Sequence, residues 1–556
     1  MTFRAPLGQA DFAQIRRQGL VYVDKSQLIV DLLEDSALVV LLPRPRRFGK
    51  TTNLSMLRAW FERVSDGADR ADLFQDLEVW RSAQARAHFQ RYPVIALTLK
   101  ELKPTSWEAC LADLRLLLAD CYQQHEWLLS WPGLRAGDRR RYEAVLSGEA
   151  PPELLRRALL DLSALLHEAT GEQVVLLIDE YDTPIHAGWL HGYYDEVIGF
   201  FRVFLGAALK DSPHLARGVL TGILRVSKES IFSDLNNLRV YTLLREEYSA
   251  AFGFTEEEVQ VLAEQADAGA LLPEIRRWYN GYRFGNATIY NPWSILSFLS
   301  SRDRELRPYW VNTSGNELIG QLITQGQAQA SQALEILLRG GRVRQPIEDG
   351  LVLPDLRRDA NAVWTLLLYS GYLRPAAIYE AGREVDLEIP NQEVMLAFDL
   401  LLQRWMRGQV GGSGEVDALL RAMLRGDVES FEDGLSTLVI HAMSSLDGGR
   451  TPEQVYHAFT LGLLVQLRAT HRVESNPESG FGRADVLVIP RTPGQAGVVL
   501  EFKRVREQDT PEGALQAALQ QIADRRYAAK LEDAGAAPVW VYGVVFDGKR
   551  VRVGMG

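Results

Sequence analysis

Only two cysteines, Cys110 and Cys121, occur in 556 residues. That is too few for a zinc site or a disulfide framework, so a reducing, cytoplasmic compartment is expected. Long apolar runs are missing too, since no stretch approaches the ~20 uninterrupted apolar residues of a membrane span. The opening MTFRAPLGQADFAQIRRQG lacks the apolar core of a secretory signal. Basic charge is in deficit, with 61 Lys and Arg against 72 Asp and Glu and a formal net charge of -11. This argues against non-specific coating of nucleic acid and leaves room for a local basic groove. Repeats and low-complexity tracts are absent. With 47% hydrophobic and 24% charged residues the chain is neither disordered nor fibrous.

What is present is a multidomain pattern, since one core does not extend over this length. The first 250 residues alternate short apolar strands with amphipathic helices, the signature of an α/β domain with a mostly parallel sheet. ALVVLLP, YPVIALTL, QVVLLID and ARGVLTGIL are the strands, each nearly continuously apolar as strands covered on both faces are. From about Thr255 helical periodicity dominates, with short extended pieces near Gly350 and Leu387 suggesting a small hairpin. After Thr451 a helix, three β-rich runs and a further helix form a compact αβ unit. The expected division is 1–254, 255–450 and 451–556.

The first strand runs into RPRRFGKTTNLSMLRAWF. A phosphate-binding loop reads G-x-x-x-x-G-K-[ST] between strand and helix. Gly49, Lys50 and Thr51 match, whereas Arg44 stands at the leading glycine. Gly49 lets backbone N–H groups approach phosphate, Lys50 reaches the β and γ phosphates, and Thr51 ligates Mg²⁺. Arg46, Arg47 and Thr52 are grouped with these nucleotide contacts. GK[ST] alone is a weak signal; QVVLLIDEYDTPI strengthens it. This apolar strand ends in Asp179, placed to ligate Mg²⁺, and Glu180, placed to polarise the attacking water. A third strand ends near Thr221, a candidate phosphate sensor, and Arg225, which reads equally as a cis arginine finger or a surface arginine. Asp182 is read as a helix cap in preference to an acid that supports the metal ligands.

YVDKS (22–26), RPRRFGKT (44–51), LLIDEYDTPI (176–185), TGILRVSKESIFSDLNN (221–237) and WYNGYRFG (278–285) together resemble the AAA-ATPase-like family. In that family a basic PRRFGK loop replaces the glycine-rich one, and a C-terminal PD-(D/E)XK nuclease-like domain often follows. The resemblance, over about Phe12 to Trp293, implies ATP binding. It also implies possible homo-oligomerisation, with Arg225 or Arg239 acting between subunits. The aromatic WYNGYRFG and IYNPWSI could stack on bases but are read as packing the middle domain onto the ATPase.

The run GFGRADVLVIPRTPGQAGVVLEFKRV holds Asp485, Glu501 and Lys503. Residues i and i+2 of a strand share a face, and the PRTPGQAG turn folds the Asp485 strand back antiparallel. Two carboxylates hold a divalent cation while the lysine activates water, the D–(x)n–E-x-K core of a restriction-endonuclease-like site. Charges interrupting a buried strand need a reason. Gln521 and Tyr527 resemble the nuclease family's Gln–(x)n–Tyr helix, and Glu478 and Arg483 its loop before the acidic strand. The first helix of this region offers Glu453 or His457 but no acid at its centre. From Thr451 onward 13 Lys and Arg face 12 Asp and Glu, so the acidity lies elsewhere. Arg504, Arg506, Arg525 and Arg526 read equally as a phosphate-backbone groove or as scattered solvated charges.

The expected protein binds and hydrolyses ATP with Mg²⁺ and carries a Mg²⁺-dependent nuclease acting on nucleic acid, DNA before RNA, with no membrane. The alternative is a nucleotide-controlled switch or defence sensor with a silent nuclease-like domain.

Overall fold

The computed structural model describes residues 3–556 except 65–68, 225–235, 311–332, 334–335, 338–339, 349, 351–352, 358, 360, 380–383, 399–412, 444–463, 465–466, 468–469, 476–477, 480–481, 506–508 and 549. Two compact units result, residues 1–312 with 344–393 and residues 313–343 with 394–556. Among the described residues no helix is long and apolar enough to cross a membrane.

The first unit is built on five parallel strands, β1 (Val39–Pro43), β2 (Val94–Thr98), β3 (Val174–Asp179), β4 (Leu215–Gly222) and β5 (Leu238–Val240). Their order across the sheet is β2-β3-β4-β1-β5. Every residue of β1 and β3 is buried, which explains why VVLLP and VVLLID carry no apolar-polar alternation. Because all five strands run the same way, their C-terminal ends share one edge, where open parallel sheets place their ligands. Leu42 lies opposite Thr221 and Ile178 opposite Leu220, so the loop after β1, Thr221 and Asp179 meet at that edge. Helix α1 (Lys50–Phe61) starts directly after the loop and α2 (Thr183–His191) after β3.

Residues 255–312 belong to the same unit. Helix α3 (Leu272–Tyr279) leads into the hairpin of β6 (Tyr282–Phe284) and β7 (Ala287–Ile289). Helix α4 (Pro292–Ser300) is then capped by the Asn291 side chain, which accepts from the N–H groups of Trp293 and Ser294. At the start of the hairpin Gly281 has φ 110°, and a Cβ there would sit 2.3 Å from the Pro390 carbonyl oxygen. A three-stranded sheet, β8 (Val343–Pro346), β9 (Arg374–Tyr379) and β10 (Glu384–Glu388), includes an antiparallel β9–β10 pair around Leu387.

The second unit holds β11 (His471–Ser475), the short pair β12 (Glu478–Ser479) and β13 (Gly482–Arg483), then β14 (Val486–Pro490), β15 (Gly497–Arg504), β16 (Val539–Asp547) and β17 (Arg550–Met555). The main sheet runs β11-β14-β15-β16-β17 and is mixed, with β15 and β16 parallel and the other neighbours antiparallel. One face carries α7 (Pro511–Arg525), packed on Leu487, Ile489 and Val499 through Ile522. The other face is covered by α5 (Ser413–Arg425) and α6 (Val428–Met443), whose Leu419, Met423, Phe431 and Leu435 meet Val488, Leu500, Phe502 and Tyr542. Trp540 Nε1 donates to the Leu424 carbonyl at 3.0 Å, Tyr542 Oη to that of Met423 at 2.8 Å, and the Val553 N–H to Glu432 at 2.7 Å.

This cover has a measurable consequence. Burial of one large apolar side chain contributes ~1.5–3 kcal/mol, and a domain's net stability is only ~5–15 kcal/mol. A fragment of residues 451–556 is therefore expected to lack a cooperative thermal transition by circular dichroism, whereas residues 413–556 should show one. Equal melting of the two fragments would mean that α5 and α6 are dispensable.

Candidate functional site

At the edge of the parallel sheet, Gly49 adopts φ 84° with open space where a Cβ would stand, and it holds the N-cap position of α1 without a side chain that could cap the helix. The N-terminus of a 12-residue helix suits an anion. Lys50 is buried; its Nζ donates to the carbonyls of Arg44 and Pro45 at 3.0 and 3.1 Å and lies 3.2 Å from Glu180 Oε1. Thr51 Oγ1 donates to Asp179 Oδ2 and Thr221 Oγ1 to Asp179 Oδ1, both at 2.6 Å. Asp179 is thus fixed by hydroxyls from two neighbouring segments. Burial raises its carboxyl above the usual range against the pull of those two bonds.

Glu180 follows with φ 53°, a left-handed conformation uncommon outside glycine and often found at functional turns. Burial pushes its carboxyl up, yet Lys50, with Arg46 and His186 nearby, holds it below the usual carboxylate range. The turn then clasps the end of β4. Tyr181 Oη donates to the Leu224 carbonyl at 2.6 Å, and Asp182 Oδ2 accepts from the N–H groups of Ile223 and Leu224 at 2.8 and 2.9 Å. Asp182 does occupy the N-cap position of α2, but its side chain makes no capping bond there. The cap reading of Asp182 is corrected: its carboxylate accepts instead from the two N–H groups that follow β4. The approach is close enough that a Cβ on Gly222 would lie 2.7 Å from Asp182 Oδ1.

The basic loop is braced by aromatic residues more than 200 positions away. The ring of Phe48 lies 4.9 Å from Tyr282 and 5.1 Å from Phe284, the second half of WYNGYRFG. Its carbonyl accepts from Gly253 N–H at 3.1 Å. The Arg47 guanidinium sits 3.9 Å from the centroid of Trp293, and Trp310 Nε1 donates to the Arg46 carbonyl at 3.3 Å. Thr52 stands in the first turn of α1 beside Thr51. Arg225 lies outside the described residues, as do Glu453, His457 and Arg506.

In the second unit, Val486 opposes Leu500 in the antiparallel β14–β15 pair, so Asp485 stands across from Glu501. Asp485 Oδ2 accepts from Phe502 N–H at 2.8 Å, and Lys503 Nζ lies 3.1 Å from Glu501 Oε1. Gln521, on α7, donates to the same Glu501 oxygen and lies 3.3 Å from Tyr527 Oη. The other oxygen, Glu501 Oε2, is buried with no hydrogen-bond partner among the described residues. An unpaired acceptor beside a second carboxylate fits a divalent cation, whose hard charge it would meet. Glu478 and Arg483 lie on β12 and β13. Strand alternation puts Arg504 with Leu500 and Phe502, on the face opposite Glu501 and Lys503. Arg525 lies one turn beyond Gln521 on α7, and Arg526 is the helix cap with φ 52°.

Burial first, then the Asp485 carboxylate, raises Glu501 from 4.5 to about 7 against the pull of Lys503. Between those pH values the folded chain retains a proton that the unfolded chain releases, so stability falls as pH rises from 4.5 to about 7. Glu501→Gln should raise the chelator-treated protein's stability by on the order of 2 kcal/mol at pH 8 and leave it unchanged near pH 4. Thermal melting at the two pH values checks this; equal effects at both would mean that the carboxyl ionises freely.

No role for the Arg44 side chain, which is fully buried, was legible in the sequence; the packing reading of WYNGYRFG is met by Phe48, a partner it did not name. The co-occurrence of PRRFGK and WYNGYRFG in one chain was the only available signal for that brace.

Comparison with known proteins agrees with this layout. Residues 6–232 match the family model described as Predicted AAA-ATPase, and residues 451–555 that of the PD-(D/E)XK nuclease superfamily. A protein of Azotobacter chroococcum mcd 1, described as an uncharacterized protein in the vnfD 5' region, is 29% identical over 565 residues, covering 98% of this chain and 96% of that protein. In N- to C-terminal order, the chain thus carries an AAA-ATPase-like segment followed by a PD-(D/E)XK nuclease-like segment.

Proposed function

We propose that this protein binds and hydrolyses ATP and couples nucleotide state to a Mg²⁺-dependent nuclease that cleaves phosphodiester bonds in nucleic acid. The observation that carries the reading is the convergence of Asp485, Glu501, Lys503 and Gln521 on one sheet face, with Glu501 Oε2 unpaired. Asp485 and Glu501 would hold the cation, which when bound supplies Lewis acidity toward a phosphate oxygen. Lys503 orients the attacking water and eases loss of its proton, and Gln521 holds the Glu501 carboxylate in place.

In the N-terminal half, Thr51 and Asp179 are the residues that would hold Mg²⁺ beside the phosphate chain of ATP. Lys50 leaves Glu180 to bind the phosphates, and Glu180, released, positions the hydrolytic water. Residues 255–450 are proposed to pass the nucleotide state on, a hypothesis motivated by their position in the sequence between the two motif-bearing segments.

The test incubates full-length protein and Mg²⁺ with supercoiled plasmid, single-stranded DNA or RNA, with and without ATP. Cleavage that depends on ATP is expected. Intact substrate in every arm overturns the nuclease reading and leaves the nucleotide-controlled switch, while cleavage indifferent to ATP overturns the coupling. Glu180→Gln is expected to retain bound nucleotide and lose turnover, measured by phosphate release.

A further inference from the structure

The position of the leading glycine in the phosphate-loop pattern is taken by Arg44, and none of the chemistry above uses its side chain. That side chain is fully buried. Nη1 donates to the carbonyls of Pro43 and Tyr241 at 2.8 and 2.7 Å, and Nη2 to that of Tyr248 at 3.2 Å. The guanidinium also faces the rings of Phe252 and Phe284, 5.2 and 5.3 Å from their centroids. Carbonyl dipoles and π faces solvate a cation without neutralising it. Among the described residues no carboxylate forms an ion pair with Arg44.

An arginine buried without a counter-charge is destabilising, and an apolar side chain would brace the loop at less cost. Burial pulls the guanidinium down to about 9, so it remains charged at neutral pH. The Arg44 carbonyl meanwhile accepts from Lys50 Nζ, which places the residue at the base of the loop whose other end presents Gly49 and the start of α1. An anion arriving at that loop would supply the counter-charge that the described residues lack.

We propose that Arg44 is the fixed cation of the phosphate site, a positioning and specificity-determining residue that ranks nucleotides by phosphate charge, triphosphate over diphosphate over monophosphate. The proposal rests on the nucleotide-binding reading of the loop. Lys50 moves between Glu180 and phosphate, whereas Arg44 is held by three carbonyls and acts as an immobile charge, preorganised before the ligand arrives.

Isothermal titration of full-length protein with Mg²⁺-ATP, ADP and AMP tests it. Arg44→Lys keeps the charge and loses the fork; Arg44→Gln keeps a donor and loses the charge; Arg44→Met is a second charge-free variant of similar length. The ATP-to-AMP affinity ratio is expected to hold within about twofold in Arg44→Lys and to fall by about tenfold in whichever charge-free variant folds, the scale of one partly screened charge pair. In the wild type the ratio should survive a rise from ~0.1 to ~1 M salt, because a buried charge is little screened. A charge-free variant with the wild-type ratio overturns the proposal, as does a wild-type ratio that collapses in salt. Failure of the wild type to bind any of the three nucleotides instead overturns the nucleotide reading on which it rests.

Discussion

Lys503→Ala is expected to lower nucleic-acid cleavage by ~10²–10⁴-fold, the usual contribution of one positioned acid–base group, while nucleotide affinity stays at the wild-type level. The side chain of Lys503 is 29% exposed and its ion-pair partner Glu501 is buried, so the loss falls on a group facing the solvent side of the site. Removing the cation leaves two carboxylates, Asp485 and Glu501, without a compensating charge between them. That effect on metal affinity is separable: raising Mg²⁺ restores a binding defect but not the loss of a water-activating group. Cleavage of plasmid across a Mg²⁺ series, with ATP titrated in parallel, provides the measurement. Cleavage unchanged in the variant would assign phosphodiester chemistry to another part of the chain.

The second large effect is expected at Lys50. Lys50→Met should weaken ATP binding by ~10²-fold or more, since truncating one partner of a desolvated, hydrogen-bonded charge pair costs ~2–5 kcal/mol. It should also lower the melting temperature of the nucleotide-free protein, because the side chain is 3% exposed and pairs with Glu180, 17% exposed, at 3.2 Å. Removing one member of such a pair leaves an uncompensated charge. Adding Glu180→Gln to Lys50→Met should recover much of the melting temperature and none of the nucleotide affinity. The double-variant comparison thus separates the structural role of the ion pair from its part in ligand binding. ATP affinity equal to the wild type in Lys50→Met would place the nucleotide elsewhere.

Both charged groups could be picked out of the sequence for the same reason. Asp179 and Glu180 end the fully buried run VVLLID, and Glu501 and Lys503 interrupt VVLEFKR, so each stands out against an apolar strand. Strand alternation also put Glu501 and Lys503 on one face, and the turn between β14 and β15 delivers Asp485 to it. The same rule applied one residue further places Arg504 on the opposite face, so its charge is not aimed where its neighbour's is. Asp182 shows a different limit. Its N-cap position is a local property, but the partner that takes its carboxylate, the end of β4, lies some 40 residues away and is invisible to local reading.

The sequence alone determined the parallel class of the first sheet and the residue types at each site, because strand period, apolar continuity and misplaced charge are local signals. Tertiary structure alone decided what supports those sites. It wrapped the PRRF loop in Tyr282, Phe284, Trp293 and Trp310, and enclosed Arg44 among three carbonyls. It also laid α5 and α6 over the far face of the second sheet. The reason is physical. An apolar or aromatic run states that a surface must be buried, whereas the partner that buries it is selected by shape and packing across the whole fold.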